Sequence, residues 1–159
     1  MKTSEARPVA SRRGSTAQLA WLLVGDVADL LEGGLDNDSI RWLLPVLESL
    51  RGLMDTEAQE DAAAGFMDDV VTQFPNAYER VALLQEMHSQ LHSELHVFVH
   101  QLSRLADQIA VNPSVRLDEM TIRMLKLRLV SWVDRMSAQH RNERKLSQSV
   151  WYLELGAGD

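Results

Sequence analysis

The chain has 159 residues, enough for one domain with a hydrophobic core, and carries a formal net charge of −7. It contains no cysteine, which excludes disulfides and thiolate metal sites, so any bound metal needs nitrogen and oxygen ligands. The negative charge argues against nonspecific nucleic-acid binding, and no apolar run approaches the length that spans a bilayer. We therefore expect a soluble, cytoplasmic protein with no nucleic-acid or membrane partner.

The N-terminal residues 1–15 are basic, in contrast to the acidic remainder of the chain. This segment is short and lacks an apolar face, so we predict a disordered basic tail rather than a targeting sequence. A first helix is predicted from Thr16 to Glu32, because Gly33-Gly34 is a typical signal for the end of a helix. The charged residues of the tail are Lys2, Arg7, Arg12 and Arg13 against Glu5.

Three more helices are predicted after Gly34. The second is capped by Asp38 or Ser39 and carries an apolar stripe as far as Met54, with a kink or break expected near Gly65. The remaining elements are a third helix from Pro75-Asn76 to Val111, a turn at Asn112-Pro113, a fourth helix from Leu117 to Tyr152, and a flexible tail over 154–159.

Four amphipathic helices with mostly short connections predict an all-α protein. The sequence has no sustained two-residue alternation of apolar and polar residues and no Asn-Gly hairpin signal, so no strand is expected. Short connections place consecutive helices side by side and in opposite directions. We therefore predict an antiparallel, up-down-up-down four-helix bundle over residues 16–153.

All five histidines lie on the predicted third and fourth helices. Relative to the apolar stripe of the third helix, His88 faces the core and His92 lies at its rim, while His96 and His100 point to water. His140 occupies a position in the apolar stripe of the fourth helix where leucine is typical. Imidazoles facing a helical core indicate either a polar contact or a metal site.

In two antiparallel helices joined by a turn, residues that are equally far from the turn along the chain lie at the same height along the bundle axis. This places His140 and Asp61 level with His88, and Glu57 level with His92. We therefore predict a metal site formed by Asp61, His88 and His140, with Glu57 and His92 at its edge. Carboxylates and imidazoles together suit iron, manganese or zinc.

Three observations favour a core without metal. Glu57 and Asp61 also fit a solvated acidic helix face, and a single inward histidine is often a hydrogen-bonded core residue. Arg144 falls on the inward side near His140, where an ion pair with Asp61 would remove the need for a cation. Catalysis is not expected, because no strained nucleophile turn or oxyanion loop accompanies the serines next to the histidines.

Three segments resemble the hemerythrin-like (HHE) cation-binding family. They are EAQEDAAAGFM around Asp61, LLQEMHSQL around His88 and HRNERKL from His140, and the resemblance covers residues 39–155. It implies an antiparallel four-helix bundle with a non-haem di-iron site that serves oxygen, nitric oxide or redox sensing, or metal storage.

The chain departs from the family pattern at several ligand positions. Glu57 stands where the family has histidine, Met87 replaces the acid before His88, and Arg144 replaces the acid after His140. The first helix has no histidine. The resemblance therefore implies a partial site for one or two non-haem iron ions. The alternative is a metal-free helical protein-interaction or regulatory module, which would bind a protein partner through its acidic surface or basic N-terminal arm.

Overall fold

The part of the chain that the structure describes is helical and contains no strand. This computed structural model describes the backbone of residues 9–64, 72 and 75–156, and the side chains of residues 16–60, 72, 75–146 and 148. The predicted all-α class is confirmed. The elements are α1 (Val9–Glu32), α2 (Asn37–Ala64), a short 3-10 turn (Pro75–Ala77), α3 (Tyr78–Val111) and α4 (Glu119–Gly156).

The helix α1 begins earlier than the apolar pattern indicates. Its first residue is Val9, whereas the sequence predicts a helix from Thr16 after a disordered tail over residues 1–15. The later part of that predicted tail is therefore helical. Residues 1–8 lie outside the described residues.

The C-terminal end of α4 also differs from the predicted one. The helix α4 extends to Gly156, beyond the predicted end at Tyr152, and residues 157–159 lie outside the described part of the chain. The helix α2 ends at Ala64. The break expected near Gly65 falls on residues that the structure does not describe.

Aspartate side chains cap α2 and α4. Asp36 Oδ1 accepts hydrogen bonds from the backbone N–H and the hydroxyl of Ser39, both at 2.7 Å. Asp118 Oδ2 accepts the equivalent bonds from Thr121 at 3.0 and 2.8 Å. The prediction that Asp38 or Ser39 caps α2 was wrong, because Ser39 acts as the donor to a cap located three residues before it.

The two connections α1–α2 and α3–α4 lie against each other. The first turns at Gly34, whose φ of 85° lies in the left-handed region that favours glycine, as the Gly33-Gly34 signal predicts. The side-chain amide of Asn37 then donates hydrogen bonds to the carbonyl oxygens of Pro113 (3.2 Å) and Val115 (3.0 Å). One amide group therefore joins the start of α2 to the α3–α4 connection.

Each helix packs against two others: α1 and α3 both contact α2 and α4. Trp132 of α4 is fully buried, donates its indole N–H to the carbonyl oxygen of Leu91 at 2.9 Å, and meets the ring of Phe98 edge-on at 6.3 Å. It belongs to one core cluster with the fully buried residues Val24, Val27, Ile40, Leu43, Leu47, Leu50, Met54, Leu95, Leu102, Ile109 and Leu129. No helix in the described residues is long and apolar enough to cross a membrane.

We predict that Asp118→Asn lowers the free energy of unfolding more at about pH 7 than at about pH 3. Hydrogen bonds from Thr121 hold the pKa of Asp118 below its ordinary value of 3.8. A carboxyl whose folded-state pKa is lowered stabilises the protein above its ordinary pKa, and that contribution is lost as the pH falls through the folded-state pKa. Urea unfolding followed by circular dichroism measures the difference, with Asp107→Asn as an exposed control. An equal deficit at both pH values would contradict the prediction.

We predict that Trp132→Phe lowers the free energy of unfolding by about 1–3 kcal/mol. The substitution leaves a void in a fully buried site and removes the hydrogen bond to Leu91. Trp42→Phe is the matched control, because Trp42 is 71% exposed and should change stability by less than about 0.5 kcal/mol. Denaturant titration of both variants tests the prediction, and equal effects would refute a special role of Trp132.

Candidate metal centre

Two histidines of α3 and one aspartate of α2 form a compact cluster. Asp55 Oδ1 lies 2.5 Å from Nε2 of His92 and 3.1 Å from Nε2 of His96. The two imidazole rings are centred 5.0 Å apart with an angle of 45° between their planes. One ligand atom from each residue lies within 4.8 Å of the other two, and no other three described histidine or acidic side chains are grouped in this way. We call this group the Asp55–His92–His96 cluster.

The cluster sits at the rim of the core because of where its members fall on the helices. His92 and His96 are four residues apart and therefore lie one turn apart on the same side of α3. Buried residues precede all three members: Met54 before Asp55, and Leu91 and Leu95 before the histidines. The side chain of His92 is 18% exposed, that of Asp55 41% and that of His96 47%, so the cluster opens to solvent.

Hydrogen bonding keeps the Asp55 carboxylate ionised. Partial burial acts to raise its pKa, but the hydrogen bonds from His92 and His96, and their charges when protonated, outweigh burial and lower the pKa below the ordinary 3.8. An ionised carboxylate only accepts hydrogen bonds, so the Nε2 atoms of both histidines carry hydrogen in this arrangement. A metal ion bound through the same Nε2 atoms requires each neutral ring to carry its hydrogen on Nδ1 instead, and protonated rings to lose a proton, so metal binding weakens as the pH falls.

The donor set of the cluster fits one divalent transition-metal ion. Two imidazole nitrogens and one carboxylate oxygen suit Zn²⁺ or Fe²⁺ and leave further coordination positions open. Ligand atoms of a tetrahedral ion with bonds of about 2.0–2.1 Å are separated by about 3.3 Å. The observed separations of 2.5 and 3.1 Å are hydrogen-bond lengths, so the Asp55 carboxylate has to withdraw by less than about 1 Å, which its half-exposed side chain permits.

Two of the predicted site residues, Glu57 and His88, lie together one helical turn away. His88 Nε2 is 4.0 Å from a Glu57 carboxylate oxygen, and its Nδ1 is 3.9 Å from Oε1 of Glu143 on α4. The imidazole of His88 thus lies between two carboxylates, at distances longer than hydrogen bonds. Glu57 therefore lies near His88. Counting residues from the connecting turn predicts Glu57 beside His92, but His92 contacts Asp55.

The predicted site residue His140 stacks on an aromatic ring of α1. Its imidazole lies parallel to the indole of Trp21, with centroids 4.2 Å apart and 6° between the planes. The buried polar residue at this level is its neighbour Gln139, which is 2% exposed and donates to the carbonyl oxygen of Leu84 at 2.7 Å and to Glu143 at 3.0 Å. His140 is thus held by ring stacking at the edge of the core.

The side chain of Asp61 lies outside the described residues, so the Asp61–His88–His140 site stays a prediction. Its backbone belongs to α2. The same holds for the ion pair between Asp61 and Arg144, whose side chain is exposed on α4.

Sequence reasoning missed Asp55 and the participation of His96. His96 is exposed, as expected from its place on the helix, yet it also donates to Asp55. The spacing of His92 and His96 was the available signal, because two imidazoles one turn apart are a typical start of a metal site. Asp55 was missed because counting residues from the α2–α3 turn depends on where that turn is assumed to lie.

Comparison of the chain with models of protein families, with curated proteins and with solved structures gives no match. The resemblance to the hemerythrin-like family therefore rests on the three sequence segments alone.

We predict that His140→Ala lowers the free energy of unfolding by about 0.5–1.5 kcal/mol more than His140→Phe does. Phenylalanine retains a flat ring against Trp21, whereas alanine removes the stacked contact. Chemical unfolding of both variants, alone and combined with Trp21→Ala, measures the coupling between the two rings. The interpretation fails if the two single variants are equally stable, or if the coupling with Trp21 is zero.

Proposed function

We propose that this protein is a four-helix bundle that binds one divalent transition-metal ion at Asp55, His92 and His96. The observation that carries the proposal is the meeting of two imidazole nitrogens and one carboxylate oxygen, from two helices, within 4.8 Å. These residues are partly exposed, so an ion can reach them from solvent and leave again. Such a site suits the sensing or storage of metal better than a permanent structural role.

An antiparallel up-down-up-down topology is part of the proposal. The closed cycle of helix contacts supports it, because α1 and α4, at opposite ends of the chain, also pack together. Between α2 and α3, the start of α2 lies near the end of α3, as the Asn37 hydrogen bond to Pro113 shows. Between α3 and α4, Gln139 bonds to Leu84. Trp132, which precedes Gln139 in α4, bonds to Leu91, which follows Leu84 in α3. Residue numbers that rise along one helix thus fall along its neighbour, as in an antiparallel pair.

Iron and zinc are the two ions that the ligand set favours. Two histidines and one carboxylate with open positions form the ligand set of many mononuclear Fe²⁺ sites, and the same ligands bind Zn²⁺. Bound iron would supply a redox-active centre, and bound zinc a Lewis acid. The cluster supplies one set of three ligands, so we propose one ion per chain rather than two.

Binding joins α2 to α3, which gives the ion a structural consequence. Asp55 lies on α2 and both histidines lie on α3, so a bound ion ties the two helices together at the rim of the core. An ion that binds the folded chain stabilises it by about 2.7 kcal/mol when the free ion is at one hundred times its Kd. The stability of the α2–α3 pair therefore depends on the metal concentration, as a metal sensor requires.

We predict that the metal-free protein binds about one Zn²⁺ or Co²⁺ per chain, and that His92→Ala and His96→Ala each weaken binding at least about tenfold. His100→Ala is the matched control. His100 is exposed on α3 one turn after His96, and its substitution also removes one imidazole. Isothermal titration with Zn²⁺ and the visible absorption of bound Co²⁺ measure stoichiometry and ligand type. Circular dichroism checks that each variant is folded.

The variants also separate the two candidate sites. If His88→Ala and His140→Ala abolished metal binding and His92→Ala did not, the ion would be bound at the predicted Asp61–His88–His140 site. This result would overturn the proposal. Equal weakening of binding by His100→Ala would show that the metal binds surface imidazoles adventitiously. Absence of binding to the wild type would end the metal hypothesis and leave the metal-free interaction module.

A further inference from the structure

A shallow groove between α1 and α2 combines one exposed aromatic ring with two carboxylates. Asp26, Asp29 and Leu30 of α1 and Trp42 and Val46 of α2 line it, and its volume is about 330 Å³. None of these residues belongs to the Asp55–His92–His96 cluster. A ligand in this groove would therefore bind independently of a metal ion at the cluster.

Trp42 is exposed in a way that the fold does not require. Its side chain is 71% exposed, more than any other described tryptophan or tyrosine, whereas Ile40 and Leu43 on the opposite side of α2 are fully buried. Exposure of a large aromatic ring costs hydration free energy without any gain in core packing. Exposed aromatic rings are enriched at surfaces that bind a partner.

The two carboxylates of the groove are available for an ionic contact. Asp26 and Asp29 are both exposed, and neither forms a hydrogen bond or ion pair with any part of the chain that the structure describes. They are three residues apart on α1 and so lie on the same side of the helix, facing Trp42. The groove is thus lined by two negative charges and by the exposed side chain of Trp42.

We propose that this groove binds an arginine side chain from a basic segment of a partner protein. The guanidinium group stacks on an indole and donates to carboxylates, so it satisfies both features of the groove at once. The apolar stem of arginine packs against Leu30 and Val46. The groove is open to solvent and cannot enclose a small molecule, which favours a side chain that a polypeptide delivers. The charge of −7 attracts such a basic segment.

The probe is the peptide acetyl-Gly-Arg-Gly-Arg-Gly-amide, titrated into the full ¹⁵N-labelled chain at physiological ionic strength. The indole N–H resonance of Trp42, identified by its loss in Trp42→Phe, should shift, while that of the buried Trp132 should not. Asp26→Asn combined with Asp29→Asn should weaken binding about fivefold. Trp42→Leu should weaken it about threefold.

Two controls make the proposal falsifiable. A peptide with citrulline in place of arginine has nearly the same shape without the charge, and equal binding of that peptide would overturn the cation assignment. Glu86→Gln combined with Asp107→Asn removes the same charge elsewhere, and equal weakening there would show nonspecific attraction only. If the groove variants changed only self-association of the chain, the occupant would be a second copy and the proposed partner would be wrong.

Discussion

The hydrogen bond from the Trp132 indole to the carbonyl oxygen of Leu91 sets the register between α3 and α4. It is buried, and it joins residues 41 positions apart in the chain. A buried indole N–H without an acceptor is costly, so sliding α4 along α3 would lose this bond as well as the contact with Phe98. Since His92 directly follows Leu91, the same constraint fixes one cluster residue against the core.

The Asp55–His92–His96 cluster is a hydrogen-bonded group whose atoms are also the ligands of the proposed metal ion. Without metal, Asp55 accepts from both histidines, and this satisfies a half-buried carboxylate. In the proposed metal-bound state the same three atoms would be the ligands, with the ring hydrogens moved away from Nε2. The two states would then have a similar shape, one held by hydrogen bonds and one held by the ion.

Sequence periodicity was sufficient for the fold class, the helices and most of the core, because apolar residues three and four apart define the buried face of each helix. The stop at Gly33-Gly34 was equally clear, since glycine readily adopts the positive φ observed at Gly34. The start of α1 was not predictable in this way, because its first turns from Val9 lack an apolar face. The cap at Asp36 was missed because several neighbouring polar residues are equally suitable caps.

The candidate site was only partly predictable. The position of His92 at the core rim followed from helix geometry, and so did the exposure of His96. Which carboxylate meets them depends on both the position and the rotation of α2 relative to α3. Asp55 and Glu57 differ by about 3 Å along the helix and about 200° around it, and counting residues from the turn fixes neither quantity that closely. The stacking of His140 on Trp21 depends on α1, to which level counting assigned no part of the site.

The hydrogen bonds of Asn37 have a consequence for the order of folding. They join residues 76 and 78 positions apart, whereas each hydrogen bond within a helix closes a loop of only a few residues. These bonds can form only when α2 is already docked beside the α3–α4 connection. We therefore expect them among the late contacts of folding, after the helices that they join have formed.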